Sequence, residues 1–76
     1  MEIERLVKMA NDIANFFEAE PDHAEGVKSV ATHITRFWDP RMRSAIIAHL
    51  AGGGQGLSVL SRDAVAALVP PAKRAA

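Results

Sequence analysis

The 76-residue sequence contains no cysteine and no tyrosine, and its nine basic residues are balanced by nine acidic ones. Without cysteine there can be no disulfide, no thiolate metal site and no cysteine nucleophile. A formal net charge of zero argues against a general nucleic-acid binder, which needs a surplus of basic residues. No apolar run approaches the roughly 18 residues that a transmembrane helix requires. We therefore expect neither a nucleic-acid nor a membrane partner.

The first residues also lack the features of an export signal. Met1-Glu2-Ile3-Glu4 has neither the basic start nor the apolar run of a signal peptide, and its acidic residues disfavour a transit peptide. We therefore expect a cytoplasmic protein. A chain near this size buries only about 60% of its unfolded surface, so its core is marginal. We expect a single helical domain over residues 1–69 and a flexible tail over residues 70–76.

Apolar residues recur with helical spacing in four segments. The spacing predicts helices over residues 2–18, 23–37, 40–51 and 59–69, the last capped by Ser58 or Ser61. Because only a short acidic turn separates the first two, we expect an antiparallel hairpin. The predicted fold is a small all-α bundle of three to four helices built on that hairpin. Residues 52–56 are predicted to be a flexible linker, and Gly52 is predicted to adopt a left-handed conformation at the end of the third helix. The glycine run suggests that the last helix is mobile and docks separately, on the hairpin or on a partner.

The segment from His33 to Arg43 contains the only Trp and three arginines. Asp39 is a good helix N-cap and Pro40 favours a first helical position, so one helix ends here and another begins. Arg41 and Arg43 would then lie in the first turn of the new helix, where the helix dipole favours negative charge. Either these arginines are simply solvated, or their guanidiniums bind carboxylates or carbonyls of a partner. Trp38 is likewise open to two interpretations, as a core anchor or as an interface residue.

Other kinds of site have weaker support in the sequence. The three histidines, His23, His33 and His49, form no local metal-binding pair, and no nucleophile accompanies His33 and Asp39. The glycine run follows a helix and lacks the Lys-Ser/Thr of a phosphate-binding loop. A helix-turn-helix-like nucleic-acid-binding module remains an alternative, because Arg41 and Arg43 begin a helix where recognition residues usually lie. The rest of that helix, however, is mostly Ala, Ile and Leu.

Three segments of the chain resemble the delta subunit of bacterial NAD-dependent formate dehydrogenase. They are residues 6–17 (LVKMANDIANFF), residues 33–43 (HITRFWDPRMR), and residues 50–54 (LAGGG) followed by Leu57-Ser58. The run from Phe37 to Arg43 is the most specific part, and the likeness covers about residues 3–69. The family often has proline after the matching serine, where this chain has Val59.

The resemblance implies a small subunit that holds no cofactor and associates with the large catalytic subunit of a soluble complex. That complex oxidises formate to carbon dioxide with NAD as acceptor. Its large subunit holds a molybdenum (or tungsten) pterin and iron–sulfur clusters, and other subunits carry FMN and further clusters. We therefore predict a non-catalytic accessory subunit that supports assembly or stability of the complex and that could self-associate when isolated. Its predicted partner-binding residues are Arg36, Phe37, Trp38, Arg41, Met42 and Arg43.

Overall fold

The computed structural model describes residues 2–70, which contain four α-helices. These are α1 (Ile3–Phe17), α2 (His23–Phe37), α3 (Pro40–Ala51) and α4 (Val59–Ala66), with no strand in the described range. The predicted all-α class is therefore confirmed. The antiparallel arrangement of α1 and α2 and the single-domain boundary at residue 69 stay predictions. The predicted tail lies, apart from Pro70, outside the described residues.

Local capping sets most of the helix boundaries. The side chains of Asp22, Asp39 and Ser58 cap α2, α3 and α4 by accepting hydrogen bonds from backbone N–H groups of the first turns. Helices α2 and α3 have the predicted bounds. Helix α4, in contrast, ends at Ala66 rather than at residue 69. Beyond Ala66 the backbone tightens into bonds of three-residue spacing, from the Ala67 N–H to the Ala64 carbonyl and from the Leu68 N–H to the Val65 carbonyl.

One hydrophobic cluster lies between the four helices. Its members from the helices are Leu6, Ala10, Ala14, Val30, Ile34, Ile46, Leu60, Ala64 and Val65, and the connecting segments add Trp38, Leu57 and Leu68. All four helices contribute to it, and α4 packs against α1, α2 and α3. Of the two docking places expected for α4, the hairpin or a partner, the structure shows the hairpin, because the apolar side chains of α4 are part of the shared core. The mobility of α4 stays a prediction. In residues 2–70, no helix is long and apolar enough to cross a membrane.

The glycine-rich segment after α3 begins with a Schellman motif. The Gly53 N–H donates to the carbonyl of Leu50, and the Gly54 N–H donates to that of His49. Gly52 has a φ of −88°, so its predicted left-handed conformation is wrong. At the end of the helix the positive φ angles fall instead on Gly53 and Gly54, at 127° and 66°, and Gly56 further along has a φ of 91°. The helix keeps its predicted end at Ala51, but the left-handed position lies one residue later than predicted, and the glycines satisfy the last carbonyls of the helix.

The same segment is not the flexible linker that the sequence predicted. Side chains from α1, α3 and α4 hold its backbone carbonyls at 2.8–2.9 Å: Arg62 Nη2 donates to Gly53, His49 Nε2 to Gln55, and Asn11 Nδ2 to Gly56. Each contact satisfies a carbonyl that would otherwise rely on water. The loop is therefore tied to three helices and fixes where α4 begins.

Asn11 is the residue that ties α1 to the start of α4. Its Oδ1 accepts hydrogen bonds from the Ser58 N–H at 2.9 Å and from the Ser61 hydroxyl at 2.6 Å. Its Nδ2 donates to the Gly56 carbonyl at 2.9 Å. Ser61 is fully buried, so this amide provides the acceptor that its hydroxyl needs. Two of the segments that carry the family resemblance therefore meet at Asn11 and Ser58.

Candidate protein-interaction site

The turn between α2 and α3 sends two adjacent aromatic rings in opposite directions. Trp38, with φ −90° and ψ 142°, leaves the helical conformation, as does Asp39 after it. The Trp38 ring is buried in the core at 5% exposure, whereas Phe37 is 71% exposed. Of the two interpretations of Trp38, the structure shows the core anchor. Its neighbour Phe37 is the ring that is accessible to a partner.

Arg43 explains why a cation occupies the first turn of α3. Its Nη1 donates to the Trp38 carbonyl at 2.6 Å and to the Thr35 carbonyl at 3.3 Å. These carbonyls lie at the C-terminal end of α2, where a positive charge is favourable. The guanidinium does bind backbone carbonyls, as one interpretation proposed, but they belong to this chain. Arg41 is exposed and has no carboxylate partner within residues 2–70.

The two arginines should therefore differ in their effect on stability. Arg43→Ala is expected to lower the free energy of unfolding by about 1–2 kcal/mol, because a charged donor to two helix-end carbonyls is lost. Arg41→Ala is expected to change it by less than about 0.5 kcal/mol. Urea denaturation followed by circular dichroism measures both. Equal effects of the two substitutions would contradict the internal role of Arg43.

The six residues predicted to bind a partner thus divide by exposure. Arg36, Phe37 and Arg41 are exposed, Met42 and Arg43 are half-buried, and Trp38 is buried. We call the exposed three, Arg36, Phe37 and Arg41, the α2–α3 corner. Partner binding by the six residues stays a prediction, and the α2–α3 corner is the part of it that solvent can reach.

Two aromatic pairs lie on the surface of α1 and α2. The rings of Phe16 and Phe17 pack edge to face with centroids 5.0 Å apart. The imidazole of His33 lies against Phe37, one turn along α2, with centroids 4.7 Å apart. Phe16 is 77% exposed and was not among the predicted site residues. Phe16 lies at the edge of the apolar stripe of α1, where helical spacing alone allows either a core or a surface position.

An open groove of about 370 Å³ runs along the outer surface of α2, and we call it the α2 groove. It is lined by Phe17, Lys28, Ser29, Thr32, His33, Arg36 and Phe37. Two of its lining residues, Arg36 and Phe37, also belong to the α2–α3 corner. The two surfaces are therefore continuous, and together they combine exposed aromatic rings with positive charge.

The three histidines lie in three different places. His23 Nε2 donates to Asp63 Oδ2 at 2.8 Å, His33 packs on Phe37, and His49 bonds the Gln55 carbonyl. Within residues 2–70, no group of three His, Cys, Asp or Glu side chains is arranged to hold a metal ion. The helix-turn-helix alternative rested on Arg41 and Arg43 as residues that could contact a nucleic acid. Arg43 is directed onto α2, so Arg41 is the exposed arginine of the first turn of α3.

These features define a small all-α protein whose core is shared by four helices and whose α2 surface carries exposed aromatic and basic side chains. The family of the NADH-dependent formate dehydrogenase delta subunit FdsD matches residues 5–65. The chain belongs to this family. Among curated proteins and among solved structures, none matches the chain significantly.

Proposed function

We propose that this chain is a non-catalytic accessory subunit that docks on the large catalytic subunit of a cytoplasmic NAD-dependent formate dehydrogenase. In this proposal the molybdenum (or tungsten) pterin, the iron–sulfur clusters and FMN belong to the other subunits. Family membership over residues 5–65 supports a place in the enzyme complex. Exposure of Phe37 is the structural observation that supports the docking role. When a partner covers a large apolar ring, the ring is removed from water, and this burial contributes favourable free energy to binding.

The α2–α3 corner has the composition of an interface centre. Arg36 and Arg41 accompany Phe37, and arginine and aromatic residues are enriched where interfaces bind most tightly. The corner is also well supported from beneath. Trp38 anchors it in the core, and Arg43 joins α2 to α3. A preorganised corner loses little conformational entropy on docking, which favours affinity.

The proposed mechanism is mass action on the assembled enzyme. A subunit that binds the assembled form and not the dissociated form stabilises it by RT ln(1 + [L]/Kd), which reaches about 2.7 kcal/mol at 100 times Kd. No catalytic group is required of the chain for this effect. The proposal therefore predicts that the chain changes the yield or lifetime of active enzyme without acting on formate.

A pull-down tests the docking site. The tagged chain is co-expressed with the large subunit, as wild type and as Phe37→Ala/Arg41→Glu. Loss of an interface aromatic together with reversal of an adjacent charge is expected to lower retention of the large subunit by about tenfold or more. The matched control is Phe16→Ala/Arg5→Glu, which removes an equally exposed phenylalanine and reverses one exposed arginine on α1.

The outcomes separate the partner from the position of the interface. Retention by wild type and by the control, with loss in the corner variant, supports the proposal, provided that circular dichroism shows all three to be folded. Loss in the control alone would move the interface to α1. No retention of the large subunit by wild type would contradict docking on that subunit.

A further inference from the structure

The charge of the α2 groove is of one sign. Lys28 and Arg36 line it, and among the described residues its lining contains no carboxylate. Neither Lys28 nor Arg36 forms an ion pair within residues 2–70, where Lys8 pairs with Asp12. The groove therefore presents two positive charges without a carboxylate partner, in a chain whose formal net charge is zero.

The same groove also offers aromatic rings for apolar contact beside the two cations. Phe37 lies against His33 along one part of the lining, and Phe17 of α1 contributes a second ring. Ser29 is a small side chain in the lining, and it leaves room beside the rings. An occupant with an apolar side chain and flanking carboxylates would cover the aromatic surface and neutralise both cations.

We propose that the α2 groove binds an acidic segment of the large subunit, with carboxylates opposite Lys28 and Arg36 and an apolar side chain against Phe37. This inference rests on the proposed docking function and extends the interface from the α2–α3 corner along α2. A second copy of this chain, paired through the same groove, would bring like charges together. The chain's own C-terminal sequence carries Lys73 and Arg74, which also have the wrong sign.

A pair of substitutions with opposite charge at one position tests the inference. Ser29 lines the groove, so Ser29→Glu places a carboxylate where the proposal puts the partner's carboxylates, and Ser29→Lys places a cation there. The two new side chains have similar length, so a purely steric role for the position would affect both alike. The control is Ala48→Glu, which adds the same charge to an exposed position of α3, away from Lys28 and Arg36.

Affinity is measured by interferometry against formate dehydrogenase complex prepared without its delta subunit, at low and at high salt. At low salt, Ser29→Glu is expected to weaken binding about tenfold relative to wild type, whereas Ser29→Lys binds at least as tightly as wild type. Ala48→Glu is expected to stay within about twofold. The gap between the two Ser29 variants should narrow at high salt, because screening weakens charge pairs.

Each outcome bears on one proposal. Equal weakening by Ser29→Glu and Ser29→Lys would overturn the acidic occupant while leaving docking intact. Tighter binding of Ser29→Glu would overturn it by sign. Absence of wild-type binding would remove the docking function itself, which is a different result from any pattern among the variants. Sedimentation of the isolated chain adds one check. If the wild-type chain self-associates and Ser29→Glu does not, the groove binds the acidic turn between α1 and α2 of a second copy, and the inference is overturned.

Discussion

Replacing Trp38 with alanine is expected to lower the free energy of unfolding by about 3–5 kcal/mol. The ring is 5% exposed and belongs to the core cluster, so its removal leaves a large cavity between the helices. Domains of this length have a total stability of roughly 4–11 kcal/mol. A loss of this size would therefore leave the chain marginally folded or unfolded. Urea denaturation followed by far-ultraviolet circular dichroism measures the effect.

Two further variants keep this prediction decisive. Phe37→Ala removes the adjacent ring, which is 71% exposed, and is expected to cost less than about 1 kcal/mol. Trp38→Phe keeps an aromatic ring in the core and is expected to cost about 1–2 kcal/mol while remaining folded. Similar losses for Trp38→Ala and Phe37→Ala would show that Trp38 is not the core anchor.

Replacing Asn11 with alanine is the second change with a large expected effect, about 2–4 kcal/mol. The substitution removes the acceptor of the Ser58 N–H and of the buried Ser61 hydroxyl, and also the donor to the Gly56 carbonyl. A buried polar group that is left without a partner costs desolvation free energy in addition to the lost hydrogen bond. The fluorescence of Trp38, the only tryptophan, reports unfolding in this variant.

Asn15→Ala is the matched control, because it makes the same substitution one turn further along α1 at an exposed position. It is expected to change stability by less than about 0.5 kcal/mol. Hydrogen exchange adds spatial detail: the amides of α4 should lose protection in Asn11→Ala before those of α2 do. Equal stability of the two asparagine variants would contradict the role of Asn11 in holding α4.

The helices were predictable because the signals that begin and end them are local. Asp22, Asp39 and Ser58 each bond an N–H two or three residues further along, so sequence spacing identifies the two aspartates as caps. For the last helix the spacing allowed either Ser58 or Ser61, and the structure shows Ser58. The loop after α3 was not predictable in the same way. Part of its restraint comes from Asn11, whose bond to the Gly56 carbonyl spans 45 positions in the sequence. A run of glycines predicts flexibility only when nothing distant holds it.

The candidate site was predictable in composition but not in exposure. Phe37 and Trp38 are adjacent at the end of one helix, and helical spacing allows either to face the core. Their orientations follow from the extended conformation of Trp38, which depends on packing within the fold and not on local sequence spacing. The role of Arg43 depends on the angle at which α3 leaves α2, since its guanidinium reaches the end of the preceding helix. Arg41 differs by two positions and is exposed.

Thermal inactivation of formate dehydrogenase tests the central claim most directly. Complex lacking the delta subunit is heated with increasing concentrations of the purified chain, and residual formate oxidation gives an inactivation midpoint. The account predicts that the midpoint rises and saturates with chain concentration, and that Phe37→Ala/Arg41→Glu requires at least about tenfold more protein for the same rise. A midpoint that does not change at any concentration of folded wild-type chain would contradict the stabilising role of this subunit.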